Sequence, residues 1–120
     1  MGSVAVQRVY DPARQPGAAF LVDRLWPRGV SKDRLSDVVW LKTVAPSTEL
    51  RRRLHSGGEQ WQEFVDDYTD QLDALLAGND AGLAELLTAA RDGDIVLLYA
   101  LRDEEHNHAR LLADWIQAHR

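Results

Sequence analysis

The segment Ala18-Ala19-Phe20-Leu21-Val22-Asp23-Arg24-Leu25-Trp26-Pro27-Arg28-Gly29 decides the fold of this chain. Its apolar half, residues 18–22, is typical of a central strand, which is buried on both faces of a parallel sheet. We predict that the strand continues to Leu25 and that Pro27 and Gly29 end it. The polar half suits a rigid rim rather than a core. Because ligands bind at the carboxyl ends of strands in α/β proteins, this segment predicts a site.

Three further segments have the apolar and β-branched content of strands. They are Val4–Tyr10, Val38–Val44 and Ile95–Leu101. Helical periodicity and caps predict one turn at residues 31–36 with Ser31 as its cap, and longer helices at 47–55, 61–76, 83–92 and around Leu111, Leu112, Trp115 and Ile116. We expect Ser56-Gly57-Gly58 to break the first of these longer helices.

This order of elements predicts one α/β domain over residues 1–120. Its sheet has about four strands, is mainly parallel or mixed, and is flanked by helices on its faces. The link between the first two strands is too short for a helical crossover, so we do not expect them to be parallel neighbours.

Composition narrows the classes of function. The chain has no cysteine, which excludes disulfides, thiolate nucleophiles and cysteine-based metal sites. No apolar run approaches the ~20 residues of a membrane span and no signal peptide is visible, so we expect a cytoplasmic protein without a membrane partner. The net charge is −5, but residues 1–53 carry +5 and residues 54–120 carry −10. A negatively charged ligand therefore suits the first half, whereas solvated helix faces account for the acidic second half.

Four ordered blocks resemble a known family. The first block is Asp23 to Gly29, followed by Lys32. The second is Trp40-Leu41-Lys42 with Ala45-Pro46-Ser47 and Leu50-Arg51, and the third is His55 with Trp61, Phe64 and Tyr68. The fourth is Leu97-Leu98-Tyr99-Ala100 with Arg102-Asp103 and His106 to Ala109. They resemble the YeaO-like group of small bacterial proteins, or domain of unknown function 488. The resemblance covers nearly the whole chain. It implies a soluble α/β domain with no settled activity.

The residues of the first block suit an anion site. Arg24 and Arg28 present planar forks that match carboxylate or phosphate, and Lys32 adds a further charge. The structural alternative is that Asp23 forms an internal ion pair with Arg24 or a lysine and pins the loop. Trp26 is either a stacking platform for a ring or a lid on the core.

Two further candidate ligand-binding residues are Lys42, on the third predicted strand, and Ser47, at the start of the helix after it. Lys42 shares a strand face with apolar side chains, so it requires a partner such as Asp23 or an exit to the ligand. Ser47 is a helix cap, and the capped helix start is itself suited to anions. Arg8 on the first strand adds charge from the same side.

His106, Asn107 and His108 follow the last strand. On a helix the two histidines are roughly 200° apart and cannot share a metal. His108 falls on the inner stripe of the terminal helix, either as a buried, hydrogen-bonded side chain or as an acid/base or ligand-binding imidazole. Asn107 or Asp103 caps that helix.

Three strand ends therefore carry polar blocks. If the strands are parallel, one crevice holds Asp23, Arg28, Lys42, Ser47 and His108 together, which favours a small anionic ligand, for example a phosphorylated one. A nucleic-acid-binding module that uses the basic and aromatic loop 24–34 is the second hypothesis, disfavoured by the acidic total. A structural or interaction domain without catalysis is the third. No triad, metal-ligand set or cofactor loop is recognisable, so we expect no metal and no cofactor, and catalysis stays open.

Overall fold

The computed structural model describes residues 2–55, 61–104 and 106–120, without the side chains of residues 53–55. These described residues form four strands, four α-helices and two short 3₁₀ helices, connected by loops. The α-helices and strands are, in chain order, β1 (Val4–Arg8), β2 (Ala18–Leu21), β3 (Val39–Trp40), α1 (Thr48–His55), α2 (Trp61–Ala77), α3 (Ala81–Asp92), β4 (Ile95–Tyr99) and α4 (His108–His119). The predicted break at Ser56-Gly57-Gly58 lies outside the described residues.

The four strands form one parallel sheet in the order β1-β4-β2-β3. The last strand of the chain is thus a central one, with Val4 opposite Ile95 on one side and Ala18 opposite Ile95 on the other. The prediction of a small α/β fold is confirmed, and the sheet is entirely parallel rather than mixed. β1 and β2 are not neighbours, as the short link between them requires.

The two central strands are shorter than the sequence pattern suggested. The ladder of β2 ends where Val22 donates its backbone N–H to the Leu98 carbonyl. The next donor of β4, the Ala100 N–H, bonds instead to Oδ2 of Asp23 at 2.9 Å. A side-chain carboxylate therefore replaces the backbone partner, and the chain leaves the sheet at this point. The predictions that β2 extends to Leu25 and β4 to Leu101 were wrong for this reason.

The third strand was also predicted too long. β3 holds only two residues, and a 3₁₀ helix over Lys42–Val44 follows it. Its last bond to β2 runs from the Leu41 N–H to the Leu21 carbonyl, and beyond that bond β2 has left the sheet. Without a neighbour the backbone turns, and the Ala45 N–H bonds to the Lys42 carbonyl. Lys42 is consequently not a strand residue.

The helices agree with their predicted positions. Ser47 accepts from the Leu50 N–H at the start of α1, Asp80 accepts from the Leu83 N–H at the start of α3, and Asn107 accepts from the Arg110 N–H at the start of α4. These contacts satisfy amide groups that have no partner inside a helix. Ser31 likewise accepts from the Arg34 N–H beside the 3₁₀ helix Asp33–Leu35. No helix within the described ranges is long and apolar enough to cross a membrane.

The two faces of the sheet are covered differently. We call the first the helix-covered face, because Phe20, Leu97 and Tyr99 pack there against side chains of α1, α2, α3 and α4. The second is the loop-covered face, where Leu21 and Leu98 pack against Val30 and Leu35 of the long connection between β2 and β3. Among the described residues, the α-helices contribute to the first face alone. The α-helices that flank the sheet therefore lie on one face, and a loop and a 3₁₀ turn cover the other.

Candidate ligand-binding site

A cleft of about 740 Å³ opens at the carboxyl edge of the sheet. The segments that follow the four strands supply most of its wall, and Arg51 of α1 and the first residues of α2 and α4 complete it. Its charged and imidazole side chains are Arg24, Arg28, Arg51, Arg102, Asp23, Asp103, His106 and His108. With neutral histidines these groups carry a formal charge of +2, in a chain whose total is −5.

We call the segment 23–30 the Arg28 loop. Three aromatic side chains donate hydrogen bonds to its backbone carbonyls. The Trp40 indole donates to the Asp23 carbonyl at 2.7 Å. The Trp26 indole donates to the Val30 carbonyl at 2.7 Å, and the Tyr10 hydroxyl donates to the Arg28 carbonyl at 2.8 Å. These bonds hold the loop rigidly in one conformation.

A tight turn at the tip of this loop points Arg28 outward. The Val30 N–H donates to the Pro27 carbonyl and closes a four-residue turn. Gly29, the third residue of this turn, has a φ of 77°. A type II turn requires such a positive φ at its third position. Pro27 is buried while Arg28 is exposed. The turn therefore fixes the backbone on both sides of the Arg28 side chain.

Arg24 and Arg8 have their guanidinium groups occupied by backbone carbonyls. Arg24 donates from Nε to Pro46 at 3.0 Å and from Nη2 to Ala45 at 3.2 Å. Arg8 donates to Leu101 and Ala100, each at 3.1 Å. Both arginines thus connect strand ends, and Arg24 is not paired with Asp23. The predicted Asp23–Arg24 ion pair is absent between these two described residues.

Trp26 packs on the core, which is the lid role considered for it. Its indole is half-buried against the loop-covered face and meets Trp40 edge-on, with ring centroids 5.3 Å apart. It also lines the cleft. Because its N–H is bonded and its edge is packed, Trp26 belongs to the frame of the site.

Asp23 and His108 form a nearly buried pair at the floor of the cleft. Nε2 of His108 lies 3.0 Å from Oδ1 of Asp23 and 2.9 Å from the Val22 carbonyl. Both neighbours are acceptors, so the hydrogen-bond network assigns the proton to Nε2. The exposed fractions of the His108 and Asp23 side chains are 8% and 15%. With its other oxygen on Ala100, Asp23 joins the ends of β2 and β4 to the start of α4.

The two residues before His108 have different environments. Asn107 is fully buried, caps α4 and donates to the Asp103 carbonyl, so its role is structural. His106 is exposed in the loop, with Nδ1 3.7 Å from Oδ2 of Asp103. Its ring lies against Trp61, with centroids 4.8 Å apart and planes tilted by 41°. His106 therefore lies in the loop before α4 while His108 is the first residue of α4, so the two imidazoles are not on one helix.

The side chains of three cleft arginines have no hydrogen-bond or ion-pair partner among the described residues. They are Arg28 after β2, Arg51 in α1 and Arg102 after β4, and all three are exposed. Each comes from a different strand end or helix. The sheet topology therefore brings three unneutralised guanidinium groups to one opening.

Three other predicted site residues lie outside the cleft wall. The ammonium group of Lys42 sits 4.2 Å from the centre of the Trp40 ring, so of the two alternatives considered for it, it neither pairs with Asp23 nor lines the cleft. Lys32 follows the Arg28 loop as an exposed residue and does not line the cleft. Ser47 caps α1, and its backbone N–H is taken by the Gln71 side chain at 2.9 Å.

Sequence reasoning missed Tyr10, Arg51 and Trp61 as cleft residues. Arg51 and Trp61 were visible only as members of blocks in the family resemblance, and Tyr10 only as a strand end. Their place in the wall depends on how α1 and α2 pack beside the sheet. Within the described ranges, no group of three histidine or carboxylate side chains is close enough to hold a metal ion.

Beneath the cleft, Tyr68 lies fully buried in α2. Its hydroxyl donates to the Val44 carbonyl at 2.6 Å, and its ring meets that of His108 edge-on. Burial, and then the charge of Asp23, raise the pKa of Tyr68 well above its ordinary value of 10.0. Burial also raises the pKa of Tyr99. Both hydroxyls are therefore neutral at physiological pH.

Fold and site together define a small parallel α/β protein with a basic, aromatic-walled cleft at the carboxyl edge of its sheet. The chain belongs to the DUF488 family: residues 3–120 match the model of DUF488-N3i, whose description is "Inactive DUF488-N3 subclade". It is 38% identical over 117 residues to the uncharacterized protein YeaO of Escherichia coli, covering 97% of this chain and 98% of that protein.

A mycobacterial relative is equally similar. The chain is 38% identical over 111 residues to the uncharacterized protein Rv3073c of Mycobacterium tuberculosis, covering 92% of this chain and 90% of that protein. No solved structure gives a significant match. The predicted membership of the YeaO-like family is confirmed.

Proposed function

We propose that this protein binds a small organic anion, of which a phosphate monoester is the best fit, in the cleft at the carboxyl edge of its sheet. One observation carries the proposal: the side chains of Arg28, Arg51 and Arg102 line one cleft and have no partner among the described residues. Guanidinium groups bind phosphate and carboxylate through paired hydrogen bonds. Three of them in one opening favour a ligand with several acceptor oxygens.

The electrostatic setting supports the same conclusion. The cleft carries +2 while the whole chain carries −5, so the field at the opening attracts anions that the rest of the surface repels. The frame is also preorganised, because aromatic side chains fix the backbone around Arg28. A preformed site loses less conformational entropy when the ligand binds.

We favour binding over catalysis. The family description carries the word inactive, and the strongest acid/base candidate in the cleft is tied into the frame. The Nε2 proton of His108 is shared between the Asp23 carboxylate and the Val22 carbonyl. That arrangement holds the start of α4 in place, which is a sufficient reason for the pair to exist.

The alternative of a nucleic-acid-binding loop has less support. Arg34 donates to the Val9 carbonyl and Arg24 donates to two carbonyls, so two of the four cations in loop 24–34 brace the backbone. A nucleic-acid site would show affinity that falls steeply with salt concentration. Oligonucleotide titrations at two salt concentrations would test that alternative directly.

The test is calorimetric titration of inorganic phosphate and pyrophosphate into the wild-type protein and two matched variants. Arg51→Gln removes a guanidinium that lines the cleft, whereas Arg52→Gln removes its exposed neighbour on α1, which does not. Losing a charged hydrogen bond to phosphate weakens binding by about 10- to 100-fold. We expect that loss for Arg51→Gln and for Arg28→Gln, and no change beyond about twofold for Arg52→Gln.

Two results would contradict the proposal. Equal losses for Arg51→Gln and Arg52→Gln would mean that only the overall charge matters. If circular dichroism shows that the Arg28→Gln protein is unfolded or destabilised, Arg28 has a structural role and is not part of a ligand site. Because the Arg28 side chain is exposed and has no partner among the described residues, we expect that variant to keep the wild-type stability.

A further inference from the structure

We propose that the ligand carries a planar ring beside its phosphate, as a mononucleotide does, and that Trp61 is the surface on which this ring stacks. The inference rests on the proposed function, since it assigns the part of the ligand that the arginines do not bind. It has three supports, which are the size of the cleft, the composition of its wall and the way Trp61 is held.

The cleft is far larger than an inorganic anion requires. Its volume of about 740 Å³ falls in the range of roughly 300–1,000 Å³ that holds small organic ligands. A single phosphate group contacting two or three guanidinium groups would leave most of that space to solvent. The remaining volume therefore suits an organic portion of the ligand.

The cleft is lined by aromatic rings as well as by charges. Tyr10 and Trp26 come from the loop side, and Trp61 and His106 come from the helix side. The N–H of Trp26 and the hydroxyl of Tyr10 are bonded to the Arg28 loop, so these two side chains brace the frame. Among the described residues Trp61 makes no such hydrogen bond. Its half-buried ring packs against the core and also lines the cleft, so it is available as a contact surface there.

Trp61 is held as a rigid plane. The buried ring of Phe64 stacks on it at a centroid distance of 5.4 Å with planes 15° apart. The half-exposed His106 ring stands against it at an angle of 41°, so that these two rings diverge instead of closing on each other. A planar ligand ring fits this arrangement by lying on the indole while the exposed imidazole reorients.

The chemistry of stacking explains why a ring would be selected. Stacking of a nucleobase on an aromatic side chain strengthens binding by about 5- to 150-fold and tolerates any base, because every base has a π face. Arg51 of α1 and Trp61 at the start of α2 both line the cleft. A guanidinium and an indole in one cleft match a phosphate and a ring in one ligand.

The experiment compares four probes by calorimetric titration: inorganic phosphate, ribose 5-phosphate, adenosine 5′-monophosphate and adenosine. We expect the nucleotide to bind about tenfold or more tightly than ribose 5-phosphate. In Trp61→Leu that advantage should fall to about twofold, while ribose 5-phosphate keeps its affinity. In Trp61→Phe, which preserves a ring over Phe64, most of the advantage should remain.

The outcomes separate this inference from the proposed function. Equal affinity of the nucleotide and ribose 5-phosphate would overturn the ring while leaving the anion site intact. Retention of the full nucleotide advantage in Trp61→Leu would overturn the stacking role of Trp61 in the same way. Absence of binding by all three phosphate-bearing probes would overturn the proposed function, as would an affinity for adenosine equal to that for its monophosphate.

Discussion

The helix-covered and loop-covered faces of this sheet both bury apolar strand residues, but helices cover the first and a long loop covers the second. On the first face, Leu97 and its neighbours pack against four helices, and the apolar stripes of three of them (α2, α3 and α4) were recognisable in the sequence. On the second, Leu98 packs under a connection that contains the Arg28 loop and a single 3₁₀ turn. The segment that covers the second face is therefore the segment that builds one wall of the cleft.

This difference explains the unusual composition of residues 23–30. Trp26 and Val30 pack on the loop-covered face, and Pro27 between them is buried. Arg24 braces the backbone. Of the charged residues in this segment, only Arg28 combines a fixed backbone with an exposed side chain that has no partner in the described part of the chain. Most of a distinctive motif can thus be architectural while one residue in it faces the ligand.

The comparison can be tested with two adjacent leucines of β4. Leu97 faces the helices and Leu98 faces the loop, and both are at most 1% exposed. We expect Leu97→Ala to lower the free energy of unfolding by about 4 kcal/mol and Leu98→Ala by about 2–3 kcal/mol, because a loop can collapse into a cavity more readily than packed helices. Urea denaturation measures both. Equal losses would mean that the two covers are equally rigid.

The second prediction concerns the Asp23–His108 pair at the floor of the cleft, which connects β2 and β4 to the start of α4. Asp23→Asn places an NH₂ group where Nε2 of His108 or the Ala100 N–H needs an acceptor. We expect a loss of about 2 kcal/mol in the free energy of unfolding. Asp37→Asn is the matched control, since it also removes one charge but breaks only the exposed pair with Arg14. That control should stay within about 0.5 kcal/mol of wild type.

The third prediction assigns alkaline sensitivity to the helix-covered face, to which Tyr68 and Tyr99 both belong. Their raised pKa values mean that the folded protein holds a phenolic proton that the unfolded chain releases. Stability is therefore fully present below about pH 10 and falls as the pH rises above it. Tyr68→Phe should cost about 1 kcal/mol near neutral pH and flatten that alkaline decline.

Urea denaturation between neutral pH and about pH 11 would check the third prediction, with absorbance at about 295 nm reporting ionised tyrosine. A Tyr68→Phe protein whose stability falls as steeply as that of wild type would contradict it.

The smallest effect should come from Lys42, at the edge of the loop-covered face. Removing its ammonium from the Trp40 ring in Lys42→Ala should cost about 0.5 kcal/mol. Because Lys42 does not line the cleft, the affinity for phosphate should not change. A phosphate affinity reduced as much as in Arg51→Gln would place Lys42 in the site after all.

The sequence was sufficient for the parts of the fold that depend on local pattern. The stripes of α2 and α4, the caps Ser47 and Asn107, and the apolar runs of β2 and β4 all correspond to elements in the structure. A parallel sheet then carries the strand ends to one edge, so the position of the cleft followed as well.

The ends of the strands and the state of each arginine could not be predicted in the same way. β2 stops early because Asp23 accepts a hydrogen bond from Ala100, which is 77 residues distant in the chain. Arg24 and Arg28 belong to the same loop, yet one reaches carbonyl oxygens of the segment before α1 and the other reaches none among the described residues. Such distinctions depend on tertiary distances that no local pattern encodes.

The sheet order has a consequence for synthesis of the chain on the ribosome. Among the described residues, β1 pairs only with β4, whose partner residue for Val4 is Ile95, and β2 has only the two-residue β3 on its other side. Until Tyr99 emerges, the nascent chain lacks the strand that pairs with both β1 and β2. Unpaired strand edges are prone to aggregate, so we expect folding of the sheet to wait for its last strand.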